Sequence, residues 1–220
     1  RDGGFVMTYS TLASIVKYPF ESALAGDHGK FGFFCTEKEI YQKIADELGI
    51  IRHSQSGAPL AYARHPLVYL VEAADDICYE IMDIEDSHKL KILSFEQTKD
   101  LLLGFFDESV KNSIEKRIKD EGITDDNEKV IYMRACVIGK LENVCARAFI
   151  DHEKEILDGT FKGCLIDHIP EPQREAYKRC TEVSFNRIYK SKPVLDVELS
   201  GFKIMETLME IMTEAAVHPD

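Results

Sequence analysis

The 220 residues are enough for one sizeable helical domain or for a core with a smaller appended bundle, and 45% hydrophobic with 30% charged content is ordinary for a soluble protein. No run approaches the roughly 18 apolar residues of a membrane span, so no membrane partner is expected. The net charge of −12 excludes a surface that attracts polyanions as a whole, and any nucleotide site has to be a local basic pocket.

Six cysteines are scattered without a C-x-x-C pair, which reads as reduced core thiols and a cytoplasmic location. Arg1-Asp2-Gly3-Gly4 has neither the basic start nor the apolar run of a secretory signal, and it does not look like a natural initiation site. An upstream part of a larger protein is therefore expected.

Almost every apolar run repeats at helical spacing and no period-2 strand is evident, which predicts an all-α chain. A first helix is expected from Thr8 to Lys17, ending near Tyr18 because Pro19 disfavours the α conformation in the residue before it. The glycine-rich stretch 20–34 reads as a loop. Thr36 and Glu39 have capping-box spacing for a helix that ends at Gly49. A loop over 50–64 precedes a long helix from His65-Pro66 to about Leu90. Further helices are expected at Ser94 to Phe106, Ser109 to Lys119, Asp126 to Leu157, Glu171 to Lys190 and Leu195 to Ala216. Met205, Met209 and Met212 in the last of these fit a core stripe better than an interface.

The long helix carries the unusual chemistry. Leu67, Leu70, Val71, Ala74, Ile77, Ile81 and Ile84 mark a predicted core face. Beside it Asp75, Tyr79 and Asp83 are spaced by four, each displaced by only about 40° from the last, and Glu72, Asp76 and Glu80 form a parallel acidic row. Charge rows at this spacing are usually a solvated face, whereas a carboxylate amid so much apolar sequence needs a cation or donors if it is buried.

The string from His65 to Asp86, with its Glu-Ala-Ala-Asp-Asp segment, resembles the signature of the deoxyguanosine triphosphate triphosphohydrolase family of the His-Asp metallohydrolase superfamily. The segment TYSTLASIVKYP, from Thr8 to Pro19, resembles that family's Lys-Tyr-Pro helix, and KFGFFCTE, from Lys30 to Glu37, its Lys-Phe-Gly loop. The resemblance covers about residues 8–90; beyond 91 it is mainly one of helical pattern. It implies the C-terminal part of a catalytic domain over 1–91 and an appended helical region over 92–220. It further implies one ligand to a divalent metal ion (Mg, Mn, Fe or Zn) at Asp75, and contacts to the deoxyribose ring at Tyr79 and to its 3′-hydroxyl at Asp83. Lys17 and Lys30 would meet the triphosphate of a deoxynucleoside triphosphate, with Tyr18 beside it. Family members are usually homo-oligomers, so self-association is expected too.

No histidine is followed directly by aspartate, so nothing matches the family's paired ligand or its catalytic histidine, and no catalytic residue is expected in this chain. That half of the site is expected upstream, which makes the chain inactive alone. Cys164, Asp167 and His168 are spaced to touch one ion, though a packed or solvated histidine is the plainer reading. Two alternatives stay open: a hydrolase of the same superfamily acting on another nucleotide, and a non-catalytic helical assembly module.

Overall fold

A computed structural model describes residues 6–218. Among them the secondary structure is helical throughout, with nine α-helices and only two isolated β-bridges, Phe20 with Ala61 and Arg52 with Tyr62. The helices are α1 (Tyr9–Ser14), α2 (Lys38–Leu48), α3 (Pro66–Lys89), α4 (Phe95–Leu103), α5 (Glu108–Asp120), α6 (Asp126–Asp151), α7 (Glu153–Leu157), α8 (Glu171–Val183) and α9 (Lys192–Val217). They fall into two compact units. The first runs to Tyr79 and resumes over Ile138–Arg174; the second comprises Glu80–Val137 and the chain from Glu175 onward. Helices α3 and α6 each contribute to both.

The first unit is built around two loops. Phe33, Tyr41, Ala45, Leu60 and Tyr62 form a buried cluster in which Phe33 stacks on Tyr41 at 4.6 Å and Tyr62 meets Tyr41 edge-on at 5.7 Å. This cluster draws the 20–34 and 50–64 loops onto α2. The loops are also tied through Glu21, whose carboxylate accepts from the Leu60 amide at 2.6 Å and pairs with Lys38 at 2.7 Å. Gly32 passes so close to the chain before it that a Cβ there would lie 2.2 Å from the Tyr18 carbonyl oxygen. Only glycine fits, and the Lys-Phe-Gly loop is thereby pinned against the Lys-Tyr-Pro segment.

Several boundaries differ from the sequence expectation for local reasons. Helix α1 stops at Ser14, three residues before Lys17. Thr36 and Glu39 do not cap α2; the Glu37 carboxylate instead accepts from the Phe34 amide at 3.0 Å, across a short 3-10 turn over Cys35–Glu37. The expected helix 126–157 breaks at His152, which leaves the helical conformation at φ −107°. Ser94 and Gln97 do form a reciprocal capping box at the start of α4. Pro193 sits in the first turn of α9, where a missing amide costs nothing, and so starts that helix early.

In the second unit the interior is supplied by Ile81 and Ile84 of α3, Leu101, Leu102 and Phe105, Val130, Met133 and Val137 of α6, and Cys180 and Ile188. Buried acids accompany them. Glu85 pairs with Arg134 and, at 2.5 Å, with Lys89. Among the described residues Glu80 meets no cation; it accepts from Ser184 Oγ at 2.7 Å and Thr181 Oγ1 at 2.9 Å. Beyond α8 the helix widens into a π turn over Ser184–Ile188, within which Ser184 is fully buried. Helix α9 contributes no buried residue: Met205, Met209 and Met212 are all more than half exposed, which corrects the expectation that they are core.

Burial raises the pKa of Glu80 above the usual carboxylate range, and the two hydroxyl donors only partly oppose it. Because the folded state holds this proton more tightly than the unfolded one, the associated stability is complete below the ordinary glutamate pKa and is lost as pH rises through the folded value. Glu80→Gln should therefore melt no lower than the parent at pH 7, and its melting temperature should fall less between pH 4.5 and 7. A thermal melt series across that range checks both outcomes.

Candidate functional site

A cavity of about 450 Å³ opens in the first unit, with Lys17, Tyr18, Arg64 and Glu72 on its polar wall and Tyr69 and Phe161 on its apolar one. Its centre is the Glu72 carboxylate, whose side chain is only 7% exposed. One oxygen takes Lys17 Nζ at 2.9 Å; the other takes Arg64 Nη1 at 2.9 Å. The hydrogen bond to Glu72 is the main cause of a raised Lys17 pKa, so this lysine stays charged. Tyr18 faces three cations, with Lys17 Nζ 6.0 Å, Arg64 Cζ 6.0 Å and Lys30 Nζ 5.6 Å from its ring centre. Lys30 itself is exposed and shares with Tyr18 a neighbouring hollow of about 270 Å³.

The chain reaches this arrangement through α3. His65 Nδ1 accepts from the Leu67 amide and Pro66 occupies the first helical position, so the helix starts two residues after Arg64. The face it buries is the predicted one at Ile77, Ile81 and Ile84 and a different one over its first turns. Val68, Tyr69, Glu72, Ala73 and Ile77 are inside, while Leu67, Leu70 and Val71 are exposed by 42%, 36% and 45%. The reason is the acids: once Glu72 meets two cations it can turn inward, carrying the helix round with it. Asp76, half-buried a turn later, has its pKa raised chiefly by burial, with Lys17 opposing.

The other acidic row therefore looks outward. Asp75 is exposed, Tyr79 is 63% exposed, and neither lines the cavity. Asp83 is half-buried and accepts from the Tyr189 hydroxyl at 2.6 Å, a partner that no sequence pattern indicated. Among the described residues no three metal-ligating side chains converge, so Asp75 is at most a single ligand and a complete metal centre is not formed by them. Cys164, Asp167 and His168 are engaged otherwise. Cys164 Sγ donates to Asp167 Oδ2 at 3.1 Å, its thiol pKa pushed up to about 12 chiefly by burial, and His168 Nε2 bonds the Lys162 carbonyl at 3.0 Å.

Lys17, Tyr18 and Lys30, singled out from two separate motifs, are thus brought together around one ring. Arg64 and Glu72 belong to the same constellation and were not assigned from sequence. Glu72 stood in the second acidic row, and Arg64 directly precedes the His65 to Asp86 string.

No family model matches the chain. It is similar along nearly its whole length to curated proteins: 32% identical over 221 residues to a deoxyguanosinetriphosphate triphosphohydrolase-like protein of Pseudomonas aeruginosa, covering 98% of this chain and 48% of that protein. A protein of the same name from Synechocystis sp. is 33% identical over 219 residues, covering 95% of this chain and 47% of its own length. The deoxyguanosinetriphosphate triphosphohydrolase of Yersinia enterocolitica is 26% identical over 231 residues, covering 97% and 44%. The chain is all-helical, and the relatives it matches carry the name of a hydrolase. The relatives named deoxyguanosinetriphosphate triphosphohydrolase-like match it along as much as 98% of its length, and the chain spans about half the length of the curated relatives it matches.

Removing the central carboxylate leaves two partly exposed cations facing each other across a cavity. Glu72→Ala is expected to cost about 1–3 kcal/mol of unfolding free energy, less than for a fully buried pair because solvent screens both partners. Urea unfolding measures this, and a loss within about 0.5 kcal/mol would match an ordinary surface site instead.

Proposed function

We propose that this chain is the C-terminal part of a metal-dependent deoxynucleoside triphosphate triphosphohydrolase of the His-Asp superfamily, which converts its substrate to a deoxynucleoside and tripolyphosphate. The observation that carries the reading is the convergence of Lys17 and Lys30 on the ring of Tyr18, beside the cavity lined by Glu72, in a chain whose relatives bear that enzyme name. A net charge of −12 makes so local a cationic cluster specific.

In this reading Lys17 and Lys30 neutralise the phosphate chain, with Tyr18 between them. Tyr79 packs on the sugar ring and Asp83 accepts from the 3′-hydroxyl. Asp75 gives one oxygen to a divalent ion of the Mg, Mn, Fe or Zn type, and the histidine and His-Asp ligands are supplied by a segment outside these residues. The exposed stripe of Leu67, Leu70, Val71 and Tyr79 beside Asp75 is the kind of surface such a segment would cover. This chain's own work is to bind and orient; activation of water belongs to groups it does not carry. The setting proposed is cytoplasmic.

A second reading, that of a helical assembly module, is favoured by α9. Val197, Leu199 and Phe202 are each more than 70% exposed there, and homo-oligomer formation is the role such a surface would serve.

The deciding experiment assays tripolyphosphate release from each of the four deoxynucleoside triphosphates, using a longer protein with the upstream segment restored. Activity is expected, and Asp75→Ala should lower it by at least about hundredfold. The 220-residue chain alone should give no turnover. Full activity in Asp75→Ala would sink the reading.

A further inference from the structure

The Glu72 hub contains a cation that the reading above leaves unused. We propose that Arg64 is a further phosphate-binding residue of this site, held alongside Lys17 by the buried Glu72 carboxylate, and that it grips the polyphosphate chain of a nucleotide. The proposal rests on the assignment of Lys17 to the phosphates.

Three observations carry it. Arg64 gives Glu72 a hydrogen bond from Nη1 alone, and among the described residues Nε and Nη2 make none. A guanidinium with an open edge at a cavity wall is shaped to take two phosphate oxygens side by side. Its plane is also held in advance: the guanidinium carbon lies 5.6 Å from the ring of Tyr69 and 6.0 Å from that of Tyr18. Tyr69 is itself fixed, buried to 3% exposure and edge-on to Phe161 at 5.1 Å. A preorganised fork loses little freedom when a ligand arrives.

The charge balance is the third. Glu72 cancels one of the two positive charges at its ends, so the Lys17, Arg64 and Glu72 triad keeps one net positive charge facing the cavity. A second cation on one carboxylate, with donors left over at a cavity wall, is available to an anion that enters the cavity. Glu72 is accordingly a positioning residue. It holds an ammonium on one carboxylate oxygen and a guanidinium on the other.

The test is calorimetric titration of the 220-residue chain with sodium tripolyphosphate at fixed ionic strength. Saturable binding is expected for the parent, weakened at least about tenfold by Arg64→Gln and by Lys17→Gln, since each removes a charge-assisted hydrogen bond. Arg64→Lys should recover only part of the loss, because the point charge returns without the fork. Thermal melts of each variant identify any that fail to fold; if Arg64→Gln does, Arg64→Lys decides, and parental affinity in that variant overturns the proposal. Loss in Lys17→Gln with none in Arg64→Gln also overturns it, while leaving the triphosphohydrolase reading intact. Absence of saturable binding by the parent chain overturns it as well, and the broader reading then stands or falls on turnover by the longer protein.

Discussion

One carboxylate that cannot be left alone organises the first unit. Glu72 is withdrawn from water, and a buried charge of that kind is tolerated only if cations come to it. Lys17 arrives from the segment after α1 and Arg64 from two residues before the start of α3. Meeting that requirement brings two distant stretches of chain to one point, and the cavity is the space left between them. Tyr18 is carried in beside Lys17, and Gly32 lets the Lys30 loop lie against the Tyr18 carbonyl. The cationic cluster is thus a consequence of how a single acid is satisfied.

The same problem recurs along α3 and is solved in three ways. Glu72 has two cations. Asp76 is half-buried among like charges and holds its proton more tightly in response. Glu80 relies, among the described residues, on two hydroxyls near a π turn, and Glu85 takes Arg134 and Lys89. Neutral donors leave a carboxylate more easily protonated than ion pairs do. A single helix therefore presents acids of different character within four turns, and the one that keeps two cations at a cavity wall is the one placed to work with a ligand.

Much of this was readable in the amino-acid sequence. Helix α3 begins at Pro66 and ends at Lys89, close to where proline placement and periodicity put its ends, and Lys17 and Lys30, from two separate motifs, lie near the Tyr18 ring. The face of α3 was partly misjudged because apolar and acidic residues alternate round it: Leu67, Leu70 and Val71 have core spacing and are exposed, while Glu72 and Glu80 are inside. Rows one residue apart differ by only about 100°, and composition cannot choose between them when each holds carboxylates. The methionines of α9 illustrate the same limit, since helical spacing marks a stripe without saying what covers it.

What the chain dictated by itself was local: helical periodicity, the proline and glycine punctuation, and the acidic rows of the long helix. These depend on neighbours within a turn or two, so a string of residues contains them in full. The partners of Glu72, the hydroxyls around Glu80 and the Tyr189 bond to Asp83 join residues separated by 8 to 106 positions, most of them by more than 50. Only tertiary structure could choose them, because the energy of a buried charge depends on what stands opposite it in space, whatever lies beside it in the chain.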